Sequence, residues 1–364
     1  MSLISPCSYV YLYRLFRIFC TMCLASLIIV VIQEQTYQNR IINSQIKESP
    51  STVEVSMFTD LESSDLTAYN SRLFEMRTEL TQTICNNSKV EQHFDHRHYY
   101  ILKDKHLVWC PVFKAASTNW LYNLIRLSGR SEIELELLKK KHPSQPNEQG
   151  RIVAPVLSLK ETVNHLNKPL MKKLLITRHP FDRLVSAFRD KLERCINPKC
   201  ILTKEWYYKK YGKEIVRMYR QKSIQRHGET YYSKRNNYGS PYPVLHRIVE
   251  LPTFWEFVQW IIHKNVHKFD EHWKPMYLYC SPCTHSYNYI LKFESIEEEE
   301  RILSRMWNTT KIQNNWENRN DNGLKKMDIT MSYFKLLDKN DILKLYEIYK
   351  YDFLMFDYDA KPFL

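Results

Sequence analysis

The sequence predicts a single α/β domain with a parallel sheet, placed behind an N-terminal membrane anchor and a stem. Two segments predict the domain: "VWCPVFKAASTNWLYNL" at Val108–Leu124 and "LLITRHPFDRLVSAFRDK" at Leu174–Lys191. Each reads as an apolar strand, a turn with a cation, and a helix that opens with polar residues. A helix start offers unpaired N–H groups and a positive dipole end, so each junction is an anion site. Two such sites predict a ligand with phosphate groups at both ends.

Composition narrows the class of partner. The 364 residues include only 6 glycines and carry a formal net charge of +13. So few glycines disfavour glycine-rich phosphate loops and dinucleotide-binding fingerprints. The positive charge suits a polyanion such as an acidic polysaccharide. Lysine and arginine are spread along the chain without a compact basic arm, so no nucleic-acid partner is predicted.

The N-terminal segment predicts a membrane anchor. Ile18–Ile32 contains no charged residue, and Arg14 and Arg17 precede it. Positive charge on this side places the N-terminus in the cytosol and the remainder of the chain in the lumen. A cleaved signal peptide is the alternative, but no small-x-small cleavage site follows the apolar run.

The predicted organisation therefore has four parts. They are a cytoplasmic tail at 1–14, a signal-anchor helix at 15–33, a flexible luminal stem at 34–84 and a catalytic domain at 85–364. The stem is polar and only weakly periodic, with a short helix expected within it at Ser71–Thr83. The membrane partner is this one N-terminal helix.

Two further features of the sequence are consistent with a luminal location. Asn86 and Asn308 open N-glycosylation sequons. Six cysteines follow the anchor, and an oxidising compartment favours disulfides among them, with fifteen pairings open. They are Cys85, Cys110, Cys195, Cys200, Cys280 and Cys283. The "CSPC" at Cys280–Cys283 has zinc-ligand spacing but lacks a second pair, so disulfides are favoured and no metal is predicted.

The remaining elements follow from hydrophobic periodicity. Early in the domain we expect a strand at Leu107–Phe113, a helix at Thr118–Leu127, a loop at Lys139–Gly150, a strand at Lys172–Thr177 and a helix ending near Arg194. Later we expect a helical region at Lys204–Arg226, a loop at Arg226–Pro243, a helix in "PTFWEFVQWIIHK", a strand in "YNYILKFESI", a helix in "EEEERILSRMW" and a final helix in "DILKLYEIYKYDFLMFDY".

The first junction places a cation and small residues beside a helix start. Lys114 is positioned to reach a phosphate, and Ala115 and Ala116 allow the backbone to approach an anion. Ser117 or Thr118 is the expected N-cap. The pattern follows the phosphate-loop principle without the GxxxxGK[ST] motif.

The second junction is more specific. Arg178 leaves a buried strand, Pro180 suits a first helical turn, and Ser186 follows on the same helix. Arginine contacts phosphate in a bidentate manner and serine adds a hydroxyl donor. Arg183 and Arg189 share this helix and are expected either to be solvated or to pair with nearby carboxylates.

These motifs carry a resemblance. The region 85–364 resembles the Golgi carbohydrate sulfotransferases of the chondroitin and dermatan 4-O-sulfotransferase group. "CPVFKAASTNW" looks like that family's 5′-phosphosulfate motif, and "RHPFDRLVSAFRDK" looks like its 3′-phosphate motif. "TFWEFVQWI" and "DEHWKPMYLYCSPCTHSYNYILKFESIEEE" match two further blocks in the same order.

The resemblance implies a P-loop-like sulfotransferase fold and the donor 3′-phosphoadenosine 5′-phosphosulfate, used without a metal. It assigns the 5′-phosphosulfate to Phe113, Lys114, Ala115, Ala116, Ser117, Thr118 and Asn119. It assigns the 3′-phosphate segment to Arg178, His179, Pro180, Phe181, Asp182, Arg183, Leu184, Val185 and Ser186, with Arg178 and Ser186 as the phosphate ligands. The 64 positions between Lys114 and Arg178 leave room for a crossover that brings both turns to one sheet edge.

Sulfuryl transfer also needs a base for the acceptor hydroxyl, and histidine is the default near neutral pH. We predict His272 as this base, with Lys114 as the second catalytic residue. Trp273 is the expected sugar-stacking surface, and His179 is the second candidate base. His272 could instead be a structural histidine held by Asp270 or Glu271. Lys210, Tyr211 and Arg217 are expected to face the acceptor.

The predicted function is transfer of a sulfuryl group to a glycan hydroxyl, with the 4-O position of GalNAc in chondroitin or dermatan as the first choice of acceptor. The partner is an acidic or GalNAc-containing glycan, and the location is the Golgi membrane in type II orientation. Other glycan termini, a non-catalytic glycan-binding relative and a P-loop kinase are the alternatives. The two donor anchors disfavour the glycan-binding relative, and the missing Walker pattern disfavours the kinase.

Overall fold

A computed structural model of the chain describes residues 63–91, 93–141, 146–193, 205–227, 251–313 and 326–364. Within these ranges the sheet has four strands, in the order β1 (Tyr100–Leu102), β2 (Leu107–Cys110), β3 (Lys172–Thr177) and β4 (Tyr289–Lys292). Strands β2, β3 and β4 are parallel, and β1 lies antiparallel at the edge of β2. The predicted α/β class with a parallel sheet is confirmed, with one antiparallel edge strand added.

The parallel register brings the two cation-bearing junctions together. Cys110 at the end of β2 pairs with Leu175, and Thr177 ends β3 two residues later. The carboxyl ends of parallel strands face the same sheet edge, where ligands bind in open α/β sheets. Residues 111–116 and 178–179 therefore leave the sheet at neighbouring points.

Twelve helices are found in the described residues. They are α1 (Ser63–Asn87), α2 (Ser117–Leu127), α3 (Glu132–Lys141), α4 (Pro146–Val153), α5 (Leu159–Leu166), α6 (Pro180–Lys191), α7 (Lys213–His227), α8 (Phe254–His263), α9 (Met276–Cys280), α10 (Ile296–Met306), α11 (Lys326–Phe334) and α12 (Lys339–Met355). A π-helical turn at Tyr208–Gly212 leads into α7. Capping boxes of Ser158 with Glu161 and Thr253 with Glu256 set the starts of α5 and α8.

The loop expected at Lys139–Gly150 was wrong at both ends, because α3 runs to Lys141 and α4 begins at Pro146, while residues 142–145 lie outside the described residues. Gly150, the last residue of the expected loop, lies inside α4. A side chain on Gly150 would overlap the Leu121 side chain. The glycine therefore allows α4 to pack closely on α2, which is a tertiary requirement rather than a turn.

The compact unit of the structure runs from Ser63 to Leu364 and includes α1. Helix α1 packs on the domain through Phe74, which is buried in the core around the sheet. Arg77 forms a bidentate pair with Glu299 at 2.7 and 2.9 Å and also donates to the Ile290 carbonyl. These long-range contacts hold a segment whose weak periodicity resembled a stem.

Among the described residues two disulfides are formed, Cys85–Cys283 and Cys110–Cys280. Each uses one cysteine of the "CSPC" segment, so both thiols of the zinc-like spacing are consumed by bonds to other parts of the chain. Cys195 and Cys200 lie outside the described residues, as do the tail, the anchor, residues 34–62 of the stem and most of the loop predicted at Arg226–Pro243. Within the described residues, no helix is long and apolar enough to cross a membrane.

Helix α6 is held by an aromatic core that is separate from the core around the sheet. Phe181 and Phe188 are fully buried, and Phe188 stacks on Phe257 of α8 with ring centroids 5.5 Å apart. Phe181 packs on Phe353 of α12. This packing fixes the angle at which α6 leaves β3, and with it the position of Arg178.

Candidate active site

The loop after β2 is a strained cradle at the start of α2. Lys114 and Ala116 have φ values of 72° and 59°, a left-handed conformation that costs non-glycine residues about 1 kcal/mol or more each. Ala116 is the N-cap in place of the predicted Ser117 or Thr118, and it offers no side-chain cap. The first-turn N–H groups of α2 are therefore left for an anion, with the half-buried Lys114 beside them.

The start of α6 is capped differently. The His179 side chain accepts a hydrogen bond from the Asp182 N–H, and Pro180 occupies the first turn. The other ring nitrogen of His179 lies 3.1 Å from the Asp359 carbonyl, and the His179 N–H donates to Glu294. His179 is thus a buried capping residue, and both of its ring nitrogens are engaged by protein groups.

Arg178 joins the two junctions. Its Nη1 donates to the Lys114 carbonyl oxygen at 2.9 Å, and its guanidinium carbon lies 4.6 Å from the centroid of the Phe293 ring. The buried Nε has no hydrogen-bond partner among the described residues. An orphaned guanidinium N–H at this position fits a phosphate oxygen, which forms charge-assisted bonds with arginine.

Arg183 has a structural task that the sequence did not reveal. Its side chain is fully buried and donates to the carbonyls of Phe113, Lys274 and Glu271 at 2.8, 2.8 and 2.9 Å. We expected Arg183 to be solvated or to pair with a nearby carboxylate, but its side chain is buried and its bonds go to backbone carbonyls. These three bonds fasten the loop before Lys114 to the segment around His272.

The other residues of this helix divide by burial. Phe181, Leu184 and Val185 belong to the aromatic core, and Asp182 is buried. Ser186 is half-buried. Of the segment 178–186, Arg178 and Ser186 are the two predicted phosphate ligands, and neither is packed into this core.

Lys114 belongs to a cluster of alternating charge. The Asp190 carboxylate lies 3.1 Å from the Nζ atoms of both Lys114 and Lys191. Burial opposes ionisation of Asp190, but the two lysines outweigh it and lower the pKa of Asp190 to about 2. Burial lowers the pKa of Lys114 as well, against the attraction of Asp190. The cluster is cationic overall, which suits a ligand with more than one negative charge.

His272 stands beside this cluster with its ring oriented by Asp270. Its Nδ1 lies 2.7 Å from Asp270 Oδ1 and 3.1 Å from the Tyr207 hydroxyl. The His272 ring packs on Phe113, the residue before Lys114, with centroids 4.9 Å apart. Burial lowers the pKa of His272 to about 4, so the ring is neutral at physiological pH.

The tautomer of His272 follows from its partner. Although burial opposes ionisation of Asp270, its hydrogen bond from His272 holds the pKa of that carboxyl below its usual value. A carboxylate only accepts hydrogen bonds, so the proton of His272 is assigned to Nδ1. The lone pair is then on Nε2, to which the described residues offer no hydrogen bond. This arrangement matches the oriented base of hydrolytic triads.

Sequence reasoning missed Glu271 as a site residue. It lines an open pocket of about 630 Å³ together with Tyr100, Phe113, Arg151 and Tyr279. Burial and the charge of Asp270 raise the pKa of Glu271 to about 7. Nothing in the local pattern separates Glu271 from Asp270, because both are acids beside the same histidine.

The other predicted residues differ in their burial and in their partners. The Trp273 side chain is fully buried among the aromatic residues of α8 and the turn before α7, so it cannot stack on a sugar. Asn119 is buried, and its amide nitrogen is 3.5 Å from Glu300 and 3.4 Å from the Gln313 carbonyl.

Three residues were expected to face the acceptor. Tyr211 donates to Asp270 at 2.9 Å, and Lys210 lies 3.9 Å from the same carboxylate. Arg217 is exposed on α7.

The fold and site together define a transferase class. An uncapped helix start with Lys114, an orphaned arginine N–H at the neighbouring strand end, and an oriented neutral histidine suit transfer of an anionic group to a hydroxyl. A family model described as the sulfotransferase family matches residues 97–359. The chain belongs to this family and is an enzyme of the sulfotransferase class.

Curated relatives extend the match along the chain. Carbohydrate sulfotransferase 11 of Rattus norvegicus is 26% identical over 375 residues, which cover 96% of this chain and 96% of the relative. Carbohydrate sulfotransferase 10 of Xenopus laevis is 26% identical, covering 82% of this chain and 79% of the relative. Carbohydrate sulfotransferase 8 of Mus musculus is 28% identical, covering 72% and 56%. No solved structure matches.

Proposed function

We propose that this enzyme transfers a sulfuryl group from 3′-phosphoadenosine 5′-phosphosulfate to a hydroxyl of an acceptor glycan, the 4-O position of GalNAc in chondroitin or dermatan. The observation that carries the proposal is the hydrogen bond from Arg178 to the Lys114 carbonyl, because it ties two anion sites into one unit. The match to carbohydrate sulfotransferases supports a glycan as the acceptor.

The residues at the sheet edge fit the two ends of this donor. Lys114 and the N–H groups at the start of α2 hold the 5′-phosphosulfate, and Arg178 with Ser186 holds the 3′-phosphate. The donor supplies an activated sulfur–oxygen bond to phosphate. Lys114 stabilises the negative charge that grows on the phosphate oxygen as this bond breaks.

On the acceptor side, His272 Nε2 takes the proton of the attacking hydroxyl, while Asp270 holds the Nδ1–H and stabilises the imidazolium that forms. Arg183 keeps this segment in place relative to Phe113. The reaction then forms a sulfate ester and releases 3′-phosphoadenosine 5′-phosphate.

We further propose a Golgi membrane location, in type II orientation, through the anchor at 15–33. Two disulfides suit an oxidising compartment. Asn86 and Asn308 are exposed, as glycosylation sites must be.

The test uses the secreted luminal protein, labelled donor and desulfated chondroitin. Wild type should transfer label, with the product assigned by disaccharide composition. Lys114→Met should lower kcat about 100- to 1,000-fold, the loss expected when one charge-stabilising group is removed. Lys105→Met is the matched control, since Lys105 is an exposed lysine in the turn before β2, outside both junctions, and should keep full activity. Equal rates for the two variants would contradict the donor site.

A further inference from the structure

The open pocket next to the donor site lies on the side of β1. Its walls come from the turn before β1, the loop after β2, helix α4 and the segment around Glu271. Phe113 belongs to both sites, because it lines this pocket and packs on the His272 ring. A sugar in the pocket therefore lies beside His272, the predicted base. In the order of the strands, the pocket is on the β1 side of Lys114 and Arg178 is on the β3 side.

The walls offer rings and hydrogen-bond acceptors. Tyr100, Phe113 and Tyr279 present aromatic surface, and the His98 ring stacks on Tyr279 at 3.8 Å. Burial lowers the pKa of His98, which keeps this ring neutral. Aromatic surface with a carboxylate at its edge suits a molecule that has one apolar face and several hydroxyl donors.

The cations of the pocket are already committed. Arg97 pairs with Asp95 at 2.6 Å. Arg151 lies 3.6 Å over the Tyr100 ring and donates to the carbonyls of Tyr99, Ala154 and Arg97. Both arginines therefore already have carboxylate or carbonyl partners in the pocket wall. Glu271 would repel a carboxylate or sulfate of the ligand.

We propose that this pocket is the acceptor subsite, that it takes an uncharged hexose or hexosamine unit, and that Glu271 accepts a hydrogen bond from a hydroxyl of that sugar. The inference rests on the proposed function and deepens it. It places a neutral sugar of the acceptor glycan in this pocket. The acidic sugars of that glycan are left to basic surface elsewhere on the enzyme.

The raised pKa of Glu271 adds a pH signature. The titratable groups that act on it are Asp270, Lys191, Lys210, Tyr279, Tyr100, Tyr207 and Tyr211. The ionised carboxylate is the stronger acceptor and prevails above about pH 7. The KM for the acceptor should therefore rise as pH falls from 8 to 6, while His272, with its pKa near 4, does not titrate in this range.

The first experiment measures KM for desulfated chondroitin at saturating donor with Glu271→Gln. We expect KM to rise about 10- to 100-fold at pH 8, the loss of one hydrogen bond to a charged group. The variant should also lose the pH dependence of this KM, which a merely structural glutamate would not control. Glu347→Gln, an exposed glutamate on α12, is the control and should match wild type.

The second experiment blocks the pocket without touching the core. Ile152 lines the pocket and is 46% exposed, so Ile152→Trp should fold and raise the acceptor KM at least tenfold with donor KM unchanged. Ile133→Trp, at a 75% exposed isoleucine on α3, is the control. Wild-type transfer with unchanged acceptor KM in both pocket variants overturns the subsite. Absence of transfer by wild type to any glycan overturns the proposed function instead.

Discussion

The guanidinium of Arg178 donates to the backbone carbonyl of Lys114 at 2.9 Å, across 64 positions of sequence. This bond fixes the separation between the two strand–helix junctions, because one residue at each junction takes part. Arg178 still has its Nε without a partner among the described residues. One side chain can therefore position the first anion site and bind at the second.

Removing the Arg178 side chain should weaken nucleotide binding. For Arg178→Ala we expect the Kd of 3′-phosphoadenosine 5′-phosphate to rise about 30- to 100-fold, since hydrogen bonds to charged groups contribute about 2–3 kcal/mol. Titration calorimetry measures this. Arg301→Ala removes an exposed arginine of a surface ion pair and serves as control. An unchanged Kd in Arg178→Ala would rule Arg178 out as a phosphate ligand.

The Asp270–His272 pair should determine kcat. Asp270→Asn removes the carboxylate that selects the Nδ1–H tautomer, so kcat should fall about 100-fold or more while donor KM stays near wild type. His272 loses its lone pair only when protonated, and its pKa is lowered from 6.5 to about 4. Wild-type kcat should thus stay level from pH 8 to 6 and decline only as pH falls below about 5. A fall in kcat with its midpoint at pH 6.5 would contradict the assignment of His272 as the base.

Arg183 should matter for stability and for the site together. Arg183→Lys keeps the charge but loses the planar fork, so at least one of three buried carbonyls loses its donor. We expect the free energy of unfolding to fall by about 2–4 kcal/mol, seen as a lower Tm. Arg130→Lys, at an exposed arginine of α3's N-terminal flank, should leave Tm unchanged. Equal Tm for both variants would refute the role of Arg183.

The Cys85–Cys283 disulfide should stabilise the attachment of α1. It spans 198 positions, and replacing both cysteines by serine should cost about 2–5 kcal/mol. Thermal unfolding of the double variant measures this loss. Peptide mapping without reduction tests the pairing itself, and a peptide with Cys280 linked to Cys283 would contradict it.

Local patterns were sufficient for the elements that carry the donor site. The strand Lys172–Thr177 was predicted with its observed bounds, and the helix after Lys114 began one residue from its predicted start. Apolar runs, turn residues and helix starts act over a few residues, so the sequence displays them directly. The approach of the two junctions followed from the rule for parallel strands.

The roles of single side chains depended on distant partners. Three buried residues of the donor-site motifs contact groups that are far away in sequence. They are Arg183, Asn119 and His179. Trp273 lies beside the predicted base, but its side chain is in the core. Burial and partner identity arise from long-range packing, which leaves no local signature.

The sequence by itself determined the α/β class, the sulfotransferase family, and Lys114 and Arg178 as the cations at two strand ends. Only the tertiary structure decided that α1 belongs to the compact domain, which cysteines pair, and that Glu271 faces a pocket while His272 faces Phe113. The physical reason is the range of the forces involved. Backbone propensity and strand–helix order are written locally, whereas desolvation, charge pairing and cavity shape exist only once distant segments meet.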